Sequence, residues 1–335
     1  MARWLVLLAV LGLARAARAD APSEAPPEVP DHRPWSLDLT IHDFGLGLGN
    51  AKHIDGLRLN FRDSAPYTVH GISVTIWGPE HDTLGGNVTG LALGLPVASA
   101  SHLIGLGLGV GVEVEKSLDG VGLGLLGVGS GGGLHGIFVG GLGMGTGGDI
   151  DGLAIGGLGA GAGGDVIGLA VGGLGLGAGG NVRGLALGGL GIGAGGNVDG
   201  IAIAGLGIGA GGSVRGLAIG GLGVGAGDSI KGVAIGGLGV GSPWIEGVVA
   251  GLGVGGEDVR GLVIAPAYFH VPDDGRLTGV SISGFNRILG EQHGLVIGII
   301  NYAGSLHGVQ LGLINYAGNN RGGLKLLPIA NAHFD

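Results

Sequence analysis

The chain has 335 residues, of which 86 are glycine and none is cysteine, and its formal net charge is −9. An acidic chain without clustered Lys and Arg argues against nucleic-acid binding, because phosphate contacts need clustered basic side chains. Without cysteine there are no disulfides and no thiol chemistry. The mean hydropathy of +0.54, with its many Leu, Ile and Val residues, argues against disorder despite the glycine content.

The first 34 residues have the composition of an export signal followed by a linker. Arg3 precedes an apolar segment at 4–13, and Ala17-Arg18-Ala19 fits a small-x-small cleavage site. The sequence therefore predicts a signal peptide at 1–19, whose removal would leave 13 basic and 25 acidic residues, a balance of −12. Residues 20–34 are rich in proline and predict an extended linker.

Residues 35–104 are predicted to form an N-terminal cap and irregular repeats. Apolar Trp35, Leu37, Leu39 and Ile41 alternate with polar residues, which predicts a half-buried strand. The copies that follow, from Gly56, are the least regular ones.

Residues 105–265 form a regular Gly-rich repeat array, and a fixed period of this kind determines the fold. Its most regular copies begin, sixteen residues apart, at Gly136, Gly152, Gly168, Gly184, Gly200, Gly216 and Gly232. The same opening glycine recurs with looser spacing at Gly56, Gly71, Gly90, Gly105, Gly120, Gly247, Gly261, Gly279, Gly294 and Gly308, and less clearly at Gly322 or Gly323. This gives about eighteen copies of 14–19 residues.

Each copy reads as two short strands separated by a glycine corner. Leu153 and Ile155 share one strand face, and a bend at Gly156-Gly157 would turn them inward together with Leu158 and Ala160. A second corner at 163–165 leads into the next copy.

The prediction is an all-β, parallel β-solenoid. The alternative is an outer-membrane β-barrel with one strand per repeat, in which neighbouring copies run antiparallel. Spanning helices are excluded, because the apolar stretches are only about a dozen residues long.

Two columns of polar residues support parallel stacking. Three residues before the opening glycine stand Asp149, Asp165, Asn181, Asn197, Ser213, Ser229 and Asp258, all types that satisfy turn backbone groups. Directly before that glycine stand Arg183, Asp199, Arg215, Lys231, Glu246 and Arg260, whose neighbours are opposite in charge except for Arg215 beside Lys231.

No set of residues predicts a catalytic, cofactor-binding or metal site. The Gly-x-Gly-x-x-Gly strings lack a following helix, and 279–284 lacks nucleophile-elbow spacing. His70, His135, His293 and His307 each precede an opening glycine, but no third metal ligand is visible beside them. A cation between Asp149 and Asp165 would lack most of its oxygen ligands, so turn capping is favoured there. Neither a small-molecule substrate nor a cofactor is indicated.

Residues 266–335 form C-terminal repeats and a cap of a different type. Asn301-Tyr302-Ala303-Gly304 returns as Asn315-Tyr316-Ala317-Gly318, which predicts stacked Asn and Tyr pairs. The segments opened by Gly294 and Gly308 resemble the GLQLGLIN unit of a bacterial family of surface-repeat proteins, and the ending at 326–334 is similar to the way those chains close. The resemblance implies an exported, envelope-associated repeat protein of unassigned activity, and the family supplies no catalytic residues to carry over to this chain. A weaker likeness is to the head repeats of trimeric autotransporter adhesins.

The sequence thus predicts a non-enzymatic exported protein at the outer membrane, at the cell surface or in the periplasm. Its contact surface is expected to be a Gly/Ala-smooth flank, used for self-association or for contact with a membrane surface. An enzyme acting on polysaccharide would need clustered acidic residues, and none are apparent along the chain.

Overall fold

The computed structural model describes residues 35–63, 67–78 and 86–334. The predicted signal peptide at 1–19 and the linker at 20–34 lie outside these ranges. Extended chain occupies nearly all of the described residues, and the one helical element among them is the 3-10 helix Gly322–Lys325.

The N-terminal strands are Ser36–Ile41 (β1), Phe44–Gly49 (β2), His53–Asn60 (β3), Tyr67–Thr75 (β4), Gly86–Ser130 (β5), Gly133–Gly140 (β6) and Gly143–Thr146 (β7). In the regular array long and short strands alternate: Ile150–Gly156 (β8), Gly159–Ala162 (β9), Val166–Gly172 (β10), Gly175–Ala178 (β11), Val182–Gly188 (β12), Gly191–Ala194 (β13), Val198–Ala204 (β14), Gly207–Ala210 (β15), Val214–Gly220 (β16), Gly223–Ala226 (β17), Ser229–Gly236 (β18), Gly239–Gly241 (β19), Trp244–Ala250 (β20) and Gly253–Gly255 (β21). The C-terminal strands are Asp258–Val271 (β22), Arg276–Ala317 (β23) and Leu326–His333 (β24).

Neighbouring copies stack in parallel, each residue over the residue one copy later. Long strand β10 pairs with β8 and β12, so that Gly168 lies between Gly152 and Gly184. Short strand β11 pairs in the same way with β9 and β13. This confirms a parallel β-solenoid in which one copy is one coil. The antiparallel alternative required neighbouring copies to run in opposite directions, and it is wrong.

Antiparallel strands cover both ends of the stack. At one end β1 pairs antiparallel with β2, and at the other β24 pairs antiparallel with β23. The first coil is opened by Gly45, which lies over Gly56 and which sequence analysis missed. The copy expected at Gly322 or Gly323 is wrong, because both residues lie in the 3-10 helix.

The N-terminal cap strand forms, but it is not half-buried. Trp35 is 67% exposed and Ile41 is 78% exposed. Within the described residues β1 pairs only with β2, and nothing in them covers its apolar side. The expected alternation is therefore present in the sequence without a core beneath it.

The interior of each coil is lined by alanine and by β-branched or leucine residues, not by the pairs that the sequence suggested. Ile150, Ala154 and Ala160 point inward, whereas Leu153 and Ile155 are partly exposed. Leu158, at the corner between β8 and β9, is 52% exposed. The period-2 pattern fixes which residues share a face, but both faces of Leu-Ala-Ile are apolar, so the sequence alone does not say which face is inside. The corners at Gly156-Gly157 and at 163–165 are confirmed.

One column of glycines leaves no room for side chains between successive coils. Gly184 has a φ of +115°, and a Cβ placed on it would overlap the carbonyl oxygen of Gly168 in the coil before. The same contact recurs along the column, from Gly56 over Gly45 to Gly308 over Gly294. An L-residue in this column is therefore excluded both by its backbone conformation and by space.

We expect Gly184→Ala to lower the free energy of unfolding by about 2 kcal/mol or more, because it introduces backbone strain together with a steric overlap. Guanidinium unfolding followed by far-UV circular dichroism measures the change. Gly193→Ala is the matched control, since nothing lies within 4 Å of a Cβ added there. Its expected effect is within about 0.5 kcal/mol of zero. Equal losses for the two variants would contradict the role of the column.

Candidate interaction surface

The long strands present two outward columns of aliphatic side chains, here called the apolar face. The residues directly after the opening glycines form the first column: Val121, Ile137, Leu153, Leu169, Leu185, Ile201, Leu217, Val233, Val248, Leu262 and Val280. The second column, two residues further on, consists of Leu123, Val139, Ile155, Val171, Leu187, Ile203, Ile219, Ile235, Ala250, Ile264 and Ile282.

Every residue of the apolar face is half-buried or exposed, and Ile203 and Ile235 are 40% and 42% exposed. At about 4.8 Å per coil, the eleven coils extend about 50 Å, and two strand columns are about 12 Å wide. The face therefore offers about 600 Å² of nearly continuous aliphatic surface. Patches of this size on a protein surface mark contact sites.

A charged column runs beside the apolar face, on the residues directly before the opening glycines. Its members are Asp119, His135, Asp151, Ile167, Arg183, Asp199, Arg215, Lys231, Glu246 and Arg260. Residues of this column that were predicted to be neighbours are paired in register, and Arg215 forms an ion pair with Asp199 at 3.1 Å. Arg183, in contrast, pairs with Asp165 at 3.0 Å, one column to the side. Alternation of charge along the column therefore accounts for only part of the ion pairing.

The column of turn residues caps the backbone of the following coil, as predicted. The Asp149 carboxylate accepts a hydrogen bond from the Asp165 backbone N–H at 2.7 Å, and Asp165 accepts one from Asn181 at 2.7 Å. Asn197 does the same for Ser213 at 2.8 Å. The backbone N–H of Asn181, followed by its side-chain amide and the charge of Arg183, lowers the pKa of Asp165 against an opposing effect of desolvation.

The short strands present a second outward surface, made of glycine alone. Gly177, Gly193 and Gly209 have nothing within 4 Å of an added Cβ. The prediction of a Gly/Ala flank is wrong in its alanine part, because the alanines of both strands, such as Ala186 and Ala194, are buried.

The corner between the long and the short strands carries an exposed ridge of leucines: Leu158, Leu174, Leu190, Leu206, Leu222, Leu238 and Leu252.

The histidines that precede opening glycines join ion pairs and stacks. His70 lies 2.8 Å from Asp55, and His135 lies 3.0 Å from Asp119. His293 stacks on His307 with the ring centroids 4.6 Å apart. His293, followed by Arg276, lowers the pKa of Glu291. Within the described ranges no group of three or more His, Asp or Glu side chains is arranged to hold a metal ion.

The predicted Asn and Tyr pairs form at the C-terminal coils. The Asn301 amide donates to Asn315 at 2.7 Å inside the solenoid. The rings of Tyr302 and Tyr316 stack at 4.8 Å. These contacts lie along the stacking direction, so they connect coils.

A buried ionic cluster near the N-terminal end was not predicted. Arg58 is fully buried, lies 2.7 Å from Asp63 and places its guanidinium 3.8 Å from the Tyr67 ring centroid. Burial raises the pKa of Tyr67, and the nearby Asp63 carboxylate adds to the rise. The available signal was positional: Arg58 stands two residues after an opening glycine, where regular copies have alanine.

An acidic cavity of about 660 Å³ was also not predicted, because no clustered acidic residues are apparent along the sequence. Its wall includes Asp228, Trp244, Glu257, Asp258, Asp273, Asp274, Arg276 and Glu291. These residues are spread over more than sixty positions of sequence, and only stacking brings them together. Arg276 lies 2.6 Å from Glu291 and Arg260 lies 3.2 Å from Asp258, so two of these carboxylates are paired with arginine.

Comparison with protein-family models, with curated proteins and with solved structures found no match to this chain. In the described ranges, no helix has the length and apolar content needed to span a membrane.

We expect Asp165→Ala to be destabilising at pH 7, by about 1 kcal/mol, because the Asn181 backbone N–H loses its acceptor. A carboxyl with a lowered folded-state pKa stabilises the protein above its unfolded pKa, and this stabilisation is lost as the pH falls through the folded value. The cost of the substitution should therefore shrink between pH 7 and pH 3. Unfolding free energies at the two pH values measure it.

Asn197→Ala is the control, because it removes the same kind of acceptor without a titrating group. Its cost should stay constant with pH. A cost of Asp165→Ala that is equally independent of pH would refute the assignment.

Proposed function

We propose that the protein is a non-enzymatic, exported repeat protein of the bacterial cell envelope that acts as a structural scaffold through contacts made by its apolar face. The observation that carries the proposal is the continuous aliphatic surface of the long strands. The regular copies pair through their backbones, and their polar turn residues form hydrogen bonds between coils. The side chains of the apolar face are therefore not needed to hold one coil to the next.

The placement of aliphatic side chains favours a contact role over a purely architectural one. A solenoid gains stability by burying its larger side chains, and in this chain the interior holds Val, Leu and Ile residues together with alanine, while two further columns of Leu, Ile and Val residues stay on the outside. Such an arrangement is unfavourable in water unless another surface covers it. A partner surface or the envelope itself would provide that cover.

Export is supported by the amino-acid pattern at 1–19 and by the resemblance of the C-terminal copies to bacterial surface-repeat proteins. Because the chain has no cysteine and so no disulfides, after export it would be held together by packing and backbone hydrogen bonding.

Replacing two neighbouring residues of the apolar face with charged ones should abolish its contacts. We expect Ile203→Lys/Ile219→Lys to lower retention on a hydrophobic-interaction column and binding of a hydrophobic dye, since both side chains point outward. Gly193→Lys/Gly209→Lys adds the same charge to the glycine surface and should change neither. Equal effects of the two variants would show that added charge, not the apolar face, controls the behaviour.

Expression of the full chain in a Gram-negative host should release a mature protein that begins at Asp20. The reason is that the segment before it fits a cleavable signal. Cell fractionation and mass spectrometry of the intact protein measure the outcome. A chain that begins at Met1 and stays in the cytoplasm would refute export, and deletion of residues 2–19 provides the retained control.

A further inference from the structure

We propose that the apolar face binds a second copy of the same chain, face to face, with the two solenoids antiparallel and with the two-fold axis between the coils opened by Gly184 and Gly200. The inference rests on the proposed contact role of that face and names its occupant.

An antiparallel pair of this kind places each outward column over the same column of the partner. A two-fold axis along the strand direction reverses the order of coils but not the direction of the strands. The charged column of one copy therefore runs beside the charged column of the other, and the two aliphatic columns meet their equivalents. Such a contact is isologous and closes as a dimer.

The charges of the column are complementary about this axis. Arg183 faces Asp199 of the second copy. One coil outward, the neutral Ile167 faces Arg215. Further out, Asp151 faces Lys231, His135 faces Glu246, and Asp119 faces Arg260. Four of the five facing pairs over these ten coils thus combine an acidic residue with a basic one, and each pair occurs twice in the dimer.

Moving the axis by half a coil step, onto a coil, destroys this match. An axis through the coil of Gly184 sets Arg183 against itself and Asp119 against Glu246. An axis through the coil of Gly200 sets Asp199 against itself and Arg183 against Arg215. Since charges at the rim of an interface control register and specificity more than affinity, the column selects one register.

The area fits a reversible dimer. About 600 Å² of each copy, or about 1,200 Å² in total, lies at the lower end of specific interfaces. Binding to an anionic membrane would instead favour a basic rim, whereas this rim carries both signs in nearly equal number.

The test is a charge swap read by sedimentation equilibrium of the full chain at about 0.1 M salt, where the Debye length is about 10 Å. Asp151→Lys should weaken dimerisation by about tenfold or more, because it creates two Lys–Lys contacts in place of two attractive pairs. The double variant Asp151→Lys/Lys231→Asp should restore the wild-type affinity to within about threefold. Within one chain these residues are five coils apart, about 24 Å, so screening removes their intramolecular coupling.

Asp38→Lys is the control, because it makes the same charge change at an exposed residue of β1, outside the charged column, and should leave dimerisation unchanged. Far-UV circular dichroism confirms that each variant is folded. Loss of dimerisation in Asp151→Lys without rescue in the double variant would overturn the register. A monomer at every concentration would overturn the dimer.

The Ile203→Lys/Ile219→Lys variant separates failure of this inference from failure of the contact role. If the wild-type chain is monomeric but binds phosphatidylglycerol vesicles through these residues, the face contacts membrane and only the dimer is wrong. If dimerisation and vesicle binding are both absent from the wild-type chain, or are both unaffected by the variant, the contact role of the face fails as well.

Discussion

Close approach of one glycine to the carbonyl of the glycine one coil earlier is the constraint on which this fold depends. It allows the long strands to stack in parallel while the chain bends through a positive φ, which larger residues avoid. Once that column is in register, every other position lies over its equivalent. The hydrogen-bonded turn residues and the stacked Tyr and Asn pairs are consequences of this single registration.

The pleat of the long strands explains the unusual surface. Alanine at the centre of each long strand points inward, together with a Val, Leu or Ile residue at the start of that strand. The aliphatic residues that alternate with alanine face outward, because successive side chains of a strand point to opposite faces. The chain therefore displays Leu and Ile in two straight columns, with glycine alone on the neighbouring surface.

Irregular copies concentrate where the stack must end or change. Buried polar groups take interior positions near both ends, with the ion pair of Arg58 and Asp63 on one side and the Asn301–Asn315 contact on the other. Antiparallel β1 and β24 then cover the open strand edges, which would otherwise pair with further chains. The regular centre thus supplies the uniform surface, and the ends limit its length.

The sequence by itself determined the period, the corners and the polar columns, because each depends on residue type at a fixed spacing. It favoured parallel stacking, and the strand pairing of the structure decided against the antiparallel alternative. Only the tertiary structure decided which face of each strand is inside: Leu153 and Ala154 are both apolar, so alternation cannot rank them. It also decided that Arg58 is buried and that the acids around Trp244 share one cavity. These features depend on contacts between coils, and a linear pattern carries no information about which side of a strand faces the interior of the coil.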